Sequence, residues 1–301
     1  MVRPQVARRM SRPWPKSGPG ERLALLVVLA YLAGAVGVWT GLWGGDWAAI
    51  SGALREPPSA QHWLGTNRLG QDVFERLLAG TATAFEVGIL VALASVLIGA
   101  LIGGLAGYFA HRRIDAVATW LIGTIDAVPF YLFVAAVSFA LQGWSGAMHL
   151  AMITSFWTLT ARLVRTETIR LRKREFVTAA RVSGLNARQI ILRHILPNTA
   201  PVLLVQTSLV FVAAIKAEVV LSFLGIGLQD SISWGIMIAE AGQEILAGHY
   251  MNFIAASLAL FALVLSINQL TDRLQERLDP RARRTATRRS LHTATQPRGL
   301  S

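Results

Sequence analysis

The chain has 301 residues, 53% of them hydrophobic and 15% charged, with a net charge of +12 and no cysteine. That charged share is well below the ~25% of soluble domains, and the apolar residues gather in runs of the length, about 20 residues, that crosses a bilayer. These values exclude an ordinary soluble domain, thiol catalysis, disulfides and thiolate metal sites.

In chain order, a basic tail over 1–21 (ending PWPKSGPG) precedes a first apolar span at about 22–43. This span runs into Trp39, Trp43 and Trp47, an interfacial belt rather than a small-residue cleavage site, so it reads as an uncleaved anchor. A segment over 44–83 follows, expected outside the membrane. The second span, about 84–109, carries Gly99, Gly103, Gly104 and Gly107. Two GxxxG pairs within it let a neighbouring helix approach one face closely. The third span, about 114–141, holds Asp126 and Pro129 near its middle, and the proline should kink it. The fourth is expected at about 146–162, the fifth at 199–221 and the sixth at 251–271, before a second basic tail over 273–301. The expected fold is therefore all-α: a polytopic membrane protein of six transmembrane helices.

Charge sorting orients these spans. The N-terminal tail and first span hold six Lys or Arg, the turn at Arg112 and Arg113 two, the stretch Arg162 to Arg193 nine, and the C-terminal segment eight, which places 25 of 29 on one side. The opposite side holds Arg55, Arg68 and Arg76, and Lys216 lies inside the fifth span. Positive residues concentrate on the cytoplasmic side, so both termini are expected there. The basic charge matches topology and anionic lipid headgroups, and no nucleic-acid partner is expected.

Ionisable groups at bilayer depth are costly and tend to face a bundle interior or a wet cavity. Glu86, Asp126, Lys216 and Glu218 meet this description, and Asp126, Lys216 and Glu218 are the candidates for a translocation path. Lys216 and Glu218, two residues apart, point to different helix faces, so each pairs with another helix or lines that path. Catalytic and metal-site signatures are missing: the six histidines are scattered, and no Gly-Lys-Ser/Thr phosphate loop occurs. Neither a catalytic residue nor a cofactor or metal is expected, and energy has to come from a partner or an ion gradient.

The most informative stretch is the polar, basic segment Arg174–Asn198 (REFVTAARVSGLNARQIILRHILPN), within a loop over 163–197 between two spans. Leu163 to Ser183 reads as one helix leaving the fourth span, with Phe176, Ala180 and Gly184 on one face and Ala179 and Ser183 beside them. Gly184 suits a left-handed helix end. Asn186 with Gln189 fits a capping box for a second helix, which should stop near Pro197. By itself such a loop could lie on lipid as an amphipathic helix or receive a protein.

The loop resembles the EAA loop of ATP-binding-cassette (ABC) importer permeases, in which Glu-Ala-Ala, three residues, Gly, nine residues and Ile-x-Leu-Pro form a coupling helix. Ala179, Ala180, Gly184, Leu196 and Pro197 match in register; Thr178 replaces the glutamate, and His194 the isoleucine, with Ile195 one place late. His62–Gly80 is similar to the Leu-Gly-Thr-Asp, two residues, Gly-Arg-Asp-Val signature of dipeptide, oligopeptide and nickel permeases, with Asn67 and Gln71 in place of Asp and Arg. Glu218–Gly227 (EVVLSFLGIG), followed by Ser233, Trp234 and Gly235, is similar to the same group. The likeness covers roughly residues 20–280, and the long first external segment suits the C-type half of a heterodimer.

The resemblance implies a type I importer fold and docking of Phe176, Thr178, Ala179, Ala180, Gly184, Leu196 and Pro197 on an ATP-hydrolysing subunit. It further implies a second permease subunit, two such ATPases, an external solute-binding protein and a bacterial inner-membrane location. Di- or oligopeptides are the commonest cargo of the group; nickel or another small solute is the alternative within it. A secondary transporter is the rival outside it, but it should show an internal repeat, and none is evident.

Overall fold

The computed structural model describes residues 18–141, 143–227 and 231–278. Most of the two expected tails lies outside these residues. The ends that are described are helical: α1 (Pro19–Trp39) begins within the expected N-terminal tail, and α10 (Met251–Leu278) runs six residues into the C-terminal one. Arg277 donates to Glu21 and ties these two ends together.

Between them lie α2 (Val73–Tyr108), α3 (Arg113–Asp126), α4 (Phe130–Ala140), α5 (Ala147–Leu171), α6 (Glu175–Val182), α7 (Ala187–Ile190), a π-helical turn (Ile191–Ile195), α8 (Leu196–Phe223) and α9 (Trp234–Ile245). Among the described residues there is no strand, only the isolated bridges Ile50–Gln71 and Thr66–Asp72. Among the described residues, four helices or helical runs are long and apolar enough to cross a membrane, and the bent pair α3–α4 makes a fifth if it is one span. The remaining expected span, α5, is about 37 Å long at 1.5 Å per residue. It is less apolar because threonines line its packed face and arginines its end.

Three span limits differ from the sequence reading. α2 starts at Val73, because Asp72 caps it: its Oδ1 accepts from the backbone N–H groups of Phe74 (2.7 Å) and Glu75 (3.1 Å). At 36 residues this helix reaches about 54 Å, well beyond the ~30 Å hydrocarbon layer. The third span does more than kink at Pro129. It breaks into α3 and α4 at an angle of 87°, with Pro129 capping α4. Finally, the helix expected over 163–183 is two helices, since the chain turns at Arg172–Arg174 to bring Leu171 and Val177 into one small core. Tertiary burial overrides propensity there.

The glycine face of α2 packs within this chain. An added Cβ on Gly99, Gly103 or Gly107 would lie 2.7, 2.4 or 2.6 Å from the backbone oxygens of Trp157, Ala161 and Arg165. Contact positions rise together along both helices, so α2 and α5 run parallel at close range. Two further cores flank this pair. One joins α1, α2, α8, α9 and α10 through Ala35, Phe85, Ile215, Trp234 and Leu263; the other joins α2, α4, α5 and α8 through Val91, Val134, Met152 and Leu221. Large apolar side chains on α1, α3, α4 and α10, among them Leu26, Trp120, Leu132, Phe139 and Phe261, remain exposed. Such faces suit lipid or another helical subunit.

Candidate functional site: a docking loop and the α8–α9 junction

The loop between α5 and α8 is a small folded unit. Leu171, Val177, Ala180, Ile190 and Ile195 bury one another, with Tyr108 and Leu185 against them. Its geometry follows from local rules. α6 has Glu175 in its first turn and Arg181 in its last, both favourable to the helix dipole. It ends at Gly184, whose φ is +83°. The Gly184 N–H donates to the Arg181 carbonyl (3.1 Å) and the Leu185 N–H to that of Ala180 (3.2 Å), the paired bonds of a Schellman ending. Asn186 and Gln189 then form the expected capping box, at 2.9 and 3.0 Å.

The unit is held to the bundle at one corner. Arg172 donates to the Tyr108 carbonyl (3.0 Å), and Arg181 lies over the Tyr108 ring at 5.7 Å. Asp115, at the start of α3, accepts from Arg165 at 2.5 and 2.8 Å and from the His111 N–H at 2.9 Å.

At 100° per residue, the exposed residues of α6 and its C-cap fan across an arc of about 220°: Arg181, Thr178, Val182, Glu175, Ala179, Ser183 and Phe176. Ala180, expected among them, is instead 6% exposed and turned into the loop's own core. Its small size lets α6 sit close to Ile190 and Ile195, so it supports the exposed face from beneath. Val182 was missed from sequence, yet it is 84% exposed. Its signal was available: an apolar residue four positions after Thr178 on the same face.

The second helix does not stop at Pro197. Proline lacks the N–H of a regular turn and its ring crowds the carbonyl four residues back. The chain accommodates it by widening into the π turn, with the Leu196 N–H reaching back to the Ile191 carbonyl, and helix then continues from Ala187 to Phe223. His194 sits at an intermediate position on the surface, while Ile195 is fully buried.

Asp126, Lys216 and Glu218 are not brought together. Asp126 pairs with Arg162 and accepts from Thr158 Oγ1 at 2.8 Å, both on α5. Lys216 is exposed on α8. Glu218 is 1% exposed, accepts from Ser222 Oγ at 2.5 Å and has Ser233 as a second hydroxyl partner. It therefore faces the junction of α8 with α9 rather than an open channel within this chain.

That junction unites the two remaining sequence signatures. Ser233 caps α9 by accepting from the Ile236 N–H. Trp234 lies on Gly80 and donates Nε1–H to the Leu77 carbonyl at 3.2 Å. An added Cβ on Gly235 would lie 2.4 Å from the Val219 carbonyl, so glycine sets the α8–α9 spacing. From the other side, Arg76 pairs with Glu240 at 2.5 Å, and the Arg68 N–H donates to Glu244 at 2.8 Å. Asn67 and Gln71, the two departures from the signature, are buried and bonded to each other at 2.8 Å. A neutral amide pair thus stands where the resemblance has a carboxylate and a guanidinium.

A parallel glycine-packed helix pair, a broken span and a separately folded loop on a continuous helix define a multi-pass membrane protein. The family of binding-protein-dependent transport system inner membrane components matches residues 95–284, and this chain belongs to it. It is a permease component of an ABC importer, set in the inner membrane, and ATP hydrolysis and external solute capture fall to partner proteins. The chain is 37% identical over 234 residues to the oligopeptide transport system permease protein OppC of Mycobacterium tuberculosis (strain ATCC 25618 / H37Rv), covering 77% of this chain and 80% of that one. It is 37% identical over 229 residues to the dipeptide transport system permease protein DppC of Bacillus subtilis (76% and 71%). It is 36% identical over 232 residues to the glutathione transport system permease protein GsiD of Pectobacterium atrosepticum (76% and 75%). A solved amino acid ABC transporter with histidines aligns over 68% of this chain with a TM-score of 0.49 and 16% identity.

Proposed function

We propose that this chain is one half of a heterodimeric permease in an ATP-driven importer of di- or oligopeptides. Both termini lie in the cytoplasm, and the loop over 174–198 couples the chain to an ATP-hydrolysing subunit. The peptide cargo is supported by relatives named for oligopeptide, dipeptide and glutathione transport. The observation that carries the coupling is the outward face of α6. Phe176, Ala179 and Val182 stand exposed on a loop that already buries its own core, and none of the described residues covers them. An apolar knob on a rigid, otherwise charged unit is the arrangement of a protein interface, with its anchors at the centre and a polar rim. The exposed apolar sides of α3 and α4 suit the second permease subunit.

Val182→Asp tests the coupling without touching the fold, because the side chain is free in the isolated chain. Desolvating an unpaired carboxylate costs several kcal/mol. The variant should insert normally, lose co-purification with the ATPase subunits and lose uptake of labelled trialanine by at least about 100-fold. Retention of both association and uptake would falsify the assignment of α6.

A further inference from the structure

A cavity of about 350 Å³, at the small end of ligand sites, opens where the first turns of α5 lie beside the middle of α2, at the end of α5 away from the docking loop. It is lined by Glu86, Leu90, Trp144, His149, Ile153 and Ser231, among others. His149 is 6% exposed, and its Nε2 has no hydrogen-bond partner. The ring lies beside the Ser145 backbone carbonyl; in the neutral tautomer with its proton on Nδ1, Nε2 is a bare acceptor. Ser231 Oγ is also buried without a partner. Glu86 is exposed on the same cavity and close enough to act electrostatically on the imidazole.

Buried polar atoms without partners are uncommon and costly, and none of this set is used by the docking loop or the α8–α9 junction. The set has a definite chemical sense. A carboxylate and an imidazole lone pair both accept, one of them charged, while Leu90, Ile153 and Trp144 supply apolar wall. An anion is repelled by Glu86. A primary ammonium attached to a short aliphatic group fits: it donates to the carboxylate and to Nε2, and its carbon skeleton meets the wall.

We propose that the Glu86–His149 cavity is a subsite for the protonated amino terminus of the cargo as it enters the membrane. This rests on the peptide-importer reading. The test uses the complete permease–ATPase complex in lipid nanodiscs, without binding protein, titrated calorimetrically with trialanine and with N-acetyl-trialanine. Trialanine should bind, and the acetylated peptide at least tenfold more weakly. Glu86→Gln should weaken trialanine about tenfold, the low end for a charge-assisted hydrogen bond, and remove the discrimination. His149→Phe, which fills the space but takes away the acceptor, should weaken trialanine too.

Stimulation of ATP hydrolysis by peptide-loaded binding protein is read on the same samples. A complex that is stimulated, yet binds free and acetylated peptide alike or binds neither, overturns the subsite and leaves the importer reading intact. A complex that no peptide-loaded binding protein stimulates overturns both.

Discussion

At the scale of single residues, Glu218 shows how a sequence signal can mark a residue as unusual without naming its partners. A carboxylate in an apolar helix has to be solvated or matched, and Lys216, two residues away on a different helix face, was no simple partner. The structure satisfies it with hydroxyl groups from Ser222 and Ser233, one of which lies far along the chain and cannot be linked to it by any local pattern. Its expected role is thus to join α9 to α8. Glu218→Gln keeps an acceptor for both serines and should leave the yield of folded chain unchanged. Glu218→Ala strands two buried hydroxyls, so it should lower thermal stability by about 1–3 kcal/mol, read as a fall in the melting temperature of the detergent-solubilised chain. Equal melting of the two variants would remove Glu218 from the junction.

Among the helices, the legible features were those set by local chemistry. The GxxxG face, the Gly184 ending and the Asn186–Gln189 box all follow from residues within one or two turns of each other, and all are present. Illegible features depended on distant partners. Ala180 looked like part of an outer surface because periodicity fixes a face but not which way that face turns. Likewise Pro197 read as a stop, although a wide turn upstream could absorb it. The glycine face also gives a controlled comparison. Gly103→Ala would place a methyl 2.4 Å from the Ala161 carbonyl, forcing α2 and α5 apart at a cost of about 1–3 kcal/mol. Gly123 on α3 has open space around it, and alanine there should be neutral or slightly stabilising through helix propensity. Thermal melting of both variants decides the matter; a harmless Gly103→Ala would mean that the two helices do not touch there.

For the whole molecule, charge sorting predicts which end of the bundle faces the cytoplasm. A cysteine-free chain allows a direct test with an impermeant thiol reagent on intact cells. Cysteine at Ser59, in the segment before α2, should label from outside, and cysteine at Ser183, on the docking loop, should label only after the membrane is opened. Labelling of position 183 in sealed cells would invert the topology and with it the roles assigned to the two ends. The general architecture was readable because bilayer thickness imposes a length that sequence shows openly. The 87° break in the third span was not, since proline announces a bend without its size.

The helical run from Ala187 to Phe223 has a thermodynamic corollary. One rod begins beneath the docking face and ends at the junction that α9 and the segment before α2 grip from the other side, with a single soft turn near its base. Two binding events that each favour a particular tilt of such a rod share one free energy of coupling, and that sharing is reciprocal. On the docking proposed for the loop, whatever factor a ligand at the far end applies to the loop's affinity for its motor, the motor must apply to the ligand.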